Sequence, residues 1–127
     1  MKRADRSGFT LVEVLTVIAI IALLAALILG LAGNAQKKAA RSKAEAEIAQ
    51  LESFVTDYQT RYGQVPQGDE VVLKKALVVG NHTLTNLLDP WGMTYEYESS
   101  SKVTFYLWSQ GGDIAGDRTK WIGNPKP

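Results

Sequence analysis

Apolar residues change their arrangement twice along this chain. From Gly8 to Gly33 the sequence GFTLVEVLTVIAIIALLAALILGLAG is apolar on every side, and from Val14 to Gly33 it runs twenty residues without a charge. That is the length a helix needs to cross ~30 Å of hydrocarbon at ~1.5 Å per residue. From Asn34 onward polar residues enter, but Ala44, Ile48, Leu51, Val55, Tyr58 and Tyr62 keep spacings of four and three, a single stripe on a continuing helix. Gly63 is placed to cap this helix and Pro66 to prevent its resumption, so one element of some fifty residues, ~75 Å, is predicted. Asp69 then opens a second helical pattern, DEVVLKKALVV, with an acid at its start and lysines later, ended by Gly80 and Asn81.

Beyond that point the period becomes two. Asp89, Pro90, Trp91 and Gly92 form a turn signal leading into Thr94 to Glu98, and after Ser99, Ser100 and Ser101 the alternation returns from Lys102 to Trp108. Two antiparallel strands are predicted, with Tyr95 and Tyr97 on one and Val103, Phe105 and Leu107 on the other closing over the helical stripe. The fold class is α+β, a long N-terminal helix packed against a small antiparallel sheet of two or three strands. Its divisions are a leader (1–8), a membrane-spanning half-helix (9–33), an amphipathic half-helix (34–63) and a globular head (64–127).

One residue contradicts the apolar stretch. Glu13 is a carboxylate where an ion costs ~2.5 to 3.5 kcal/mol at mid-membrane, and no Lys, Arg or His lies between Gly8 and Gly33 to pair with it. Were the chain cut after Gly8, an ammonium would appear at Phe9, about one turn from Glu13 on this chain and on any identical neighbour. Lys2, Arg3 and Arg6, offset only by Asp5, hold the N-terminus in the cytoplasm and send the remainder outward. An ordinary signal anchor accounts for the length but not for the acid, and a cleaved secretory signal has a shorter apolar core. Ala22, Ala26 and Gly30 line one face of the span, which favours close helix packing in lipid.

Gly8 followed by Phe9, Thr10, Leu11, Val12 and Glu13 resembles the prepilin processing site of type IV pilins and type II secretion pseudopilins. The resemblance implies a membrane peptidase that cuts after Gly8 and methylates Phe9. Asp89-Pro90-Trp91-Gly92, a Tyr-rich strand, a hairpin and a Ser-x-Gly-x-Asp loop are similar to the major pseudopilins of type II secretion. That likeness implies a pilin-like fold and a structural subunit of a helical homo-oligomeric fibre that drives protein export. Implied partners are the prepilin peptidase and methyltransferase, membrane lipid and an inner-membrane assembly platform. The implied location is the inner membrane, single-pass, with the head in the periplasm. A type IV pilus subunit or minor pilin is the neighbouring alternative.

Composition narrows the field further. Of 14 basic and 13 acidic residues the leader takes three and one, leaving 11 against 12, so no polybasic face for nucleic acid is present. The basic run Lys37, Lys38, Arg41 and Lys43 serves either phosphate head groups or an acidic neighbour, or is a solvated helix surface. With no cysteine, stability rests on packing, helix docking or a bound ion. The last stretch, SQGGDIAGDRTKWIGN, offers Asp113 and Asp117, with Ser109, Thr119, Asn124 and backbone carbonyls, as oxygen ligands for calcium. The resemblance also implies calcium, but it places further acids where this chain has Arg118, Thr119 and Lys120. Pairing of aspartate with arginine or lysine, or a loop pinned by Trp121, therefore stays open beside calcium. His82 stands alone in a turn, and no nucleophile, base and oxyanion donor occur together, so enzymatic catalysis is not expected. A competing reading is a monomeric membrane-anchored binding module with Trp91, Trp108 and Trp121 as its face.

Overall fold

The computed structural model of the chain describes residues 10–127. Helix α1 spans Leu11–Tyr62, 52 residues without interruption. The chain divides into two units, Met1–Lys37 and Lys38–Pro127. In the first, α1 is long and apolar enough to cross a membrane, and its large side chains are uncovered: Leu23 is 63% exposed and Leu29 73%. Gly30 and Gly33 leave the helix intact, and nothing lies within 4 Å of where a Cβ would stand on either.

In the second unit the predicted stripe becomes a core. Ala44, Ile48, Leu51 and Val55 of α1 are buried with Leu73 and Leu77 of helix α2 (Glu70–Val79), and with Val65, Leu87, Tyr95, Tyr97, Leu107 and Ile122. The stripe stops short of its predicted end: Tyr58 is half-buried and Tyr62 exposed, the two rings lying 4.4 Å apart on the surface. Gly63, at φ 75°, takes the left-handed conformation that ends α1, and its N–H reaches Gln59 O at 2.7 Å. Asp69 caps α2 as expected, its carboxylate accepting from Val71 N at 3.1 Å.

The sheet is an antiparallel meander of β1 (Glu96–Ser99), β2 (Phe105–Ser109) and β3 (Ile122–Asn124) in that spatial order. Its register sets Tyr97 opposite Leu107, and Leu107 opposite Asn124. The strands start later than their alternation suggests. Ser101 explains this for β2: its hydroxyl accepts from Val103 N and Thr104 N, tying Lys102 and Val103 into the turn and leaving Val103 54% exposed. The third strand was hidden in the sequence inside the terminal loop. Gly123 admits it, because at φ 105° a Cβ there would lie 2.5 Å from Leu107 O and 3.2 Å from Ile48 Cδ1. Alternation along β2 is also used on both faces: Leu107 enters the core, and Trp108 stacks on Trp121 with centroids 6.1 Å apart.

Candidate functional site

Two places carry the residues singled out from the sequence: the start of α1 and the loop between β2 and β3. Gly8 and Phe9 lie outside the described residues. Glu13 occupies the first turn of α1, where the helix dipole favours a carboxylate. Its N–H donates to Thr10 Oγ1 at 3.1 Å, and Val14 N reaches Thr10 O at 3.2 Å. Thr10 is thus the N-cap of α1, and Thr10-Leu11-Val12-Glu13 has the Ser/Thr-x-x-Glu form of a capping box. Sequence reasoning missed this although the spacing displays it. Glu13 therefore stands at a helix start, and among the described residues no cation approaches its carboxylate within salt-bridge distance.

The loop brings Asp113 and Asp117 together but sends Ser109 elsewhere. Asp113 accepts from Ala115 N through Oδ1 (2.9 Å) and from Asp117 N through Oδ2 (3.2 Å). Asp117 caps a 3-10 turn, Arg118–Lys120, its Oδ1 accepting from Thr119 N at 3.1 Å and Thr119 Oγ1 at 2.6 Å. Those two bonds hold the Asp117 carboxyl below the usual carboxylate range. Ser109 is fully buried. Its hydroxyl donates to Asp89 Oδ2 at 2.8 Å and accepts from Gly111 N at 3.1 Å, so it anchors the loop's base instead of joining a ligand set. Asn124 Nδ2 donates to Phe105 O across the sheet.

Asp89 is the residue whose importance the sequence understated. It reads as a turn former, yet it is 5% exposed and fully used. Oδ1 accepts from Trp91 N (3.0 Å) and Met93 N (2.8 Å), while Oδ2 holds Ser109. Asp before Pro commonly bonds the backbone two residues on, and that signal was available; the bond to a serine twenty residues away was not. His82 likewise serves its own turn, with Nδ1 accepting from Leu84 N at 3.0 Å.

The loop's donor set does not fit calcium, which takes six to eight oxygens. Both Asp113 oxygens and Asp117 Oδ1 are engaged by the loop's own donors, and Lys120 Nζ stands 4.0 Å from Asp113 Oδ2. The nearby buried groups still lacking partners are indole N–H donors, Trp108 Nε1 and Trp121 Nε1, which suit an acceptor and not a cation. Among the described residues no cluster of three His, Cys, Asp or Glu side chains is spaced to hold a metal. The three tryptophans do not form an open binding face either, since Trp108 is buried and Trp91 and Trp121 are half-buried in packing.

An apolar membrane-length helix that continues as the spine of a small α+β head, with an acid in its first turn, defines a pilin-like subunit. The prokaryotic N-terminal methylation motif matches residues 3–29, and the family described as type II secretion system protein G matches residues 32–121. Similar relatives, each a type II secretion system core protein G, include that of Pseudomonas aeruginosa, 31% identical over 89% of this chain and 88% of the relative. That of Dickeya chrysanthemi is 34% identical over 98% and 88%, and that of Vibrio cholerae 32% over 88% and 84%. No solved structure matches the chain significantly. The chain belongs to the protein G family of the type II secretion system, the major pseudopilins, whose role is structural and not enzymatic. Membership implies fibre assembly and processing by a prepilin peptidase, and agrees with an inner-membrane and periplasmic setting.

Proposed function

We propose that this chain is cut after Gly8, methylated at Phe9 and assembled into a helical pseudopilus fibre that drives protein export, with Glu13 as the residue that sets the register of assembly. The supporting observation is that Glu13 is held at the start of α1 among exposed apolar side chains, with no cation near it among the described residues. In a fibre, the Phe9 ammonium of an incoming copy reaches the Glu13 of one already in place. The subunit is single-pass in the inner membrane with its head in the periplasm, and it meets the peptidase on the cytoplasmic side and the assembly platform in the membrane.

Glu13 also stands at the acidic position of the Thr-x-x-Glu pattern that caps α1, so the test must separate cap from charge. Glu13→Gln keeps a side chain suited to that position and removes the charge. Leaving one partner of a buried pair behind costs ~3 to 5 kcal/mol, several powers of ten in association. Expected is a processed, membrane-inserted Glu13→Gln chain that yields no sheared fibres or cross-linked ladders, while Thr10→Ala, which weakens only the cap, still assembles. Wild-type fibre yield from Glu13→Gln would reject the pairing. Gly8→Val tests the earlier step: the added side chain crowds the cleavage site, and an uncleaved precursor should accumulate. Normal processing of that variant, read by mass, would overturn the assignment of Gly8.

A further inference from the structure

The loop between β2 and β3 holds a carboxylate that is nearly out of water. The Asp113 side chain is 12% exposed, and both its oxygens face backbone N–H groups, of Ala115 and Asp117. Neutral donors alone leave its charge uncompensated, and the charge within reach is the Lys120 ammonium at 4.0 Å. The position of Lys120 is fixed at its backbone. A Cβ on Gly111 would fall 2.2 Å from Lys120 O, so Gly111, at φ 68°, lets the two strands of the loop touch there. Arg41 Nη1 of α1 donates to the same carbonyl at 3.5 Å.

The other basic residue of the loop is occupied elsewhere. The Arg118 guanidinium lies 4.9 Å over the Trp121 ring and donates to Lys126 O. Asp117, fully exposed, is held by its bonds from Thr119, and the Lys120 charge acts on it as well. The nearly buried charge of the loop is that of Asp113, and the ammonium that stands beside it is that of Lys120.

We infer that Lys120 is the built-in cation of this loop: its ammonium, seated beside Asp113, performs the charge balancing that a bound calcium ion would perform, and the head closes without metal. Replacing that ammonium by an acid should reverse the situation. Lys120→Asp brings a third carboxylate towards Asp113 and removes the positive charge, which moves the site towards the oxygen-rich ligand set that calcium requires.

The experiment uses full-length protein in detergent micelles, with melting followed by tryptophan fluorescence. The wild type should melt at the same temperature in excess calcium and in chelator. Lys120→Met should melt about 2 to 5 °C lower in both, since a partly exposed pair is lost. Lys120→Asp should be destabilised in chelator and rise by roughly 10 °C or more once calcium exceeds its Kd about a hundredfold. Terbium luminescence sensitised by the neighbouring tryptophans should appear in Lys120→Asp and not in the wild type. A calcium-dependent rise in the wild type that Asp113→Ala abolishes would overturn the inference. So would a folded Lys120→Asp chain blind to both ions, because the ammonium would then not occupy a cation's place. If Lys120→Asp fails to fold, the wild-type comparison and Lys120→Met decide the question alone.

Discussion

Helix α1 carries two glutamates whose surroundings are opposite. Glu47 lies in the head, 8% exposed, where Tyr95 Oη donates to its Oε2 at 3.1 Å and Lys43 Nζ, one turn earlier, stands at 3.9 Å. Glu13 lies among exposed valines and leucines, in a stretch where large apolar side chains are 41% to 76% exposed. The head meets the needs of its acid internally, while the first unit presents apolar surface and a charge that this chain does not cover among the described residues. Exposed apolar surface on such a scale marks a membrane or a protein interface. The same contrast holds for stability: the head carries its own core, whereas the apolar side chains of the first unit are exposed.

The strongest way to break that contrast is one residue type tested twice on one helix. Leu51 is fully buried and Leu23 is 63% exposed. Leu51→Ala should cost the head ~2 to 5 kcal/mol, the usual range for a buried leucine, and lower its melting temperature by about 10 °C or more. Leu23→Ala should leave head melting unchanged and affect only association in the membrane. Trp91, Trp108 and Trp121 all lie beyond Lys38, so tryptophan fluorescence of the full chain reports the head alone. Equal losses from the two substitutions would mean that the first unit contributes to the head's folding.

The two halves of α1 were legible for the same reason that they differ. An all-round apolar run followed by a stripe at spacings of four and three is a pattern that backbone geometry alone turns into a helix long and apolar enough to cross a membrane and a buried face. The stripe predicted Ala44, Ile48, Leu51 and Val55 correctly and failed at Tyr62, because periodicity does not say where the covering elements end. The sheet was legible in β1 and β2, but not in β3: Ile122-Gly123-Asn124 is too short to show alternation, and its glycine reads as loop until the approach of Leu107 O is known. Of the loop residues, Asp113 and Asp117 do meet. Ser109 does not join them, because its partner Asp89 is twenty residues away and nothing local announces a long-range hydrogen bond. The N-terminal methylation motif that matches residues 3–29 was legible because it is linear in the sequence.

A smaller effect sharpens the account of Glu47. Burial, and then the charge and hydrogen bond of Glu47, push the Tyr95 phenol well above its ordinary range, so it stays neutral and donates. Tyr95→Phe leaves a buried carboxylate short of a donor and should cost ~1 to 3 kcal/mol. Adding Glu47→Met should restore part of that loss, because removing both partners relieves the unsatisfied group. The check is a double-mutant cycle in urea. Strictly additive losses would show that the two side chains are not coupled and that the head tolerates Glu47 for another reason.

The smallest expected effect concerns a head acid that lacks such a partner. Glu96, half-buried on β1, has its pKa raised above the ordinary glutamate value, first by burial and then by the charge of Glu70 at the start of α2. A raised folded pKa means that the folded state binds the proton more readily than the unfolded chain does. Its contribution to stability is thus fully present below the unfolded value, about 4.3, and is lost as pH rises through the folded one. At neutral pH the ionised group weighs against folding, though solvent screening keeps the effect modest. Glu96→Gln should therefore melt slightly higher than the wild type at pH 7, by about 1 °C. The difference should close as pH falls well below about 4, where both side chains are neutral in the folded and the unfolded chain. Glu98 is the internal control: its carboxylate is held by Lys126 Nζ at 2.9 and 3.0 Å, and Glu98→Gln should lower the melting temperature at pH 7 where Glu96→Gln raises it. If both substitutions shift melting in the same direction at pH 7, the distinction between partnered and unpartnered head acids fails.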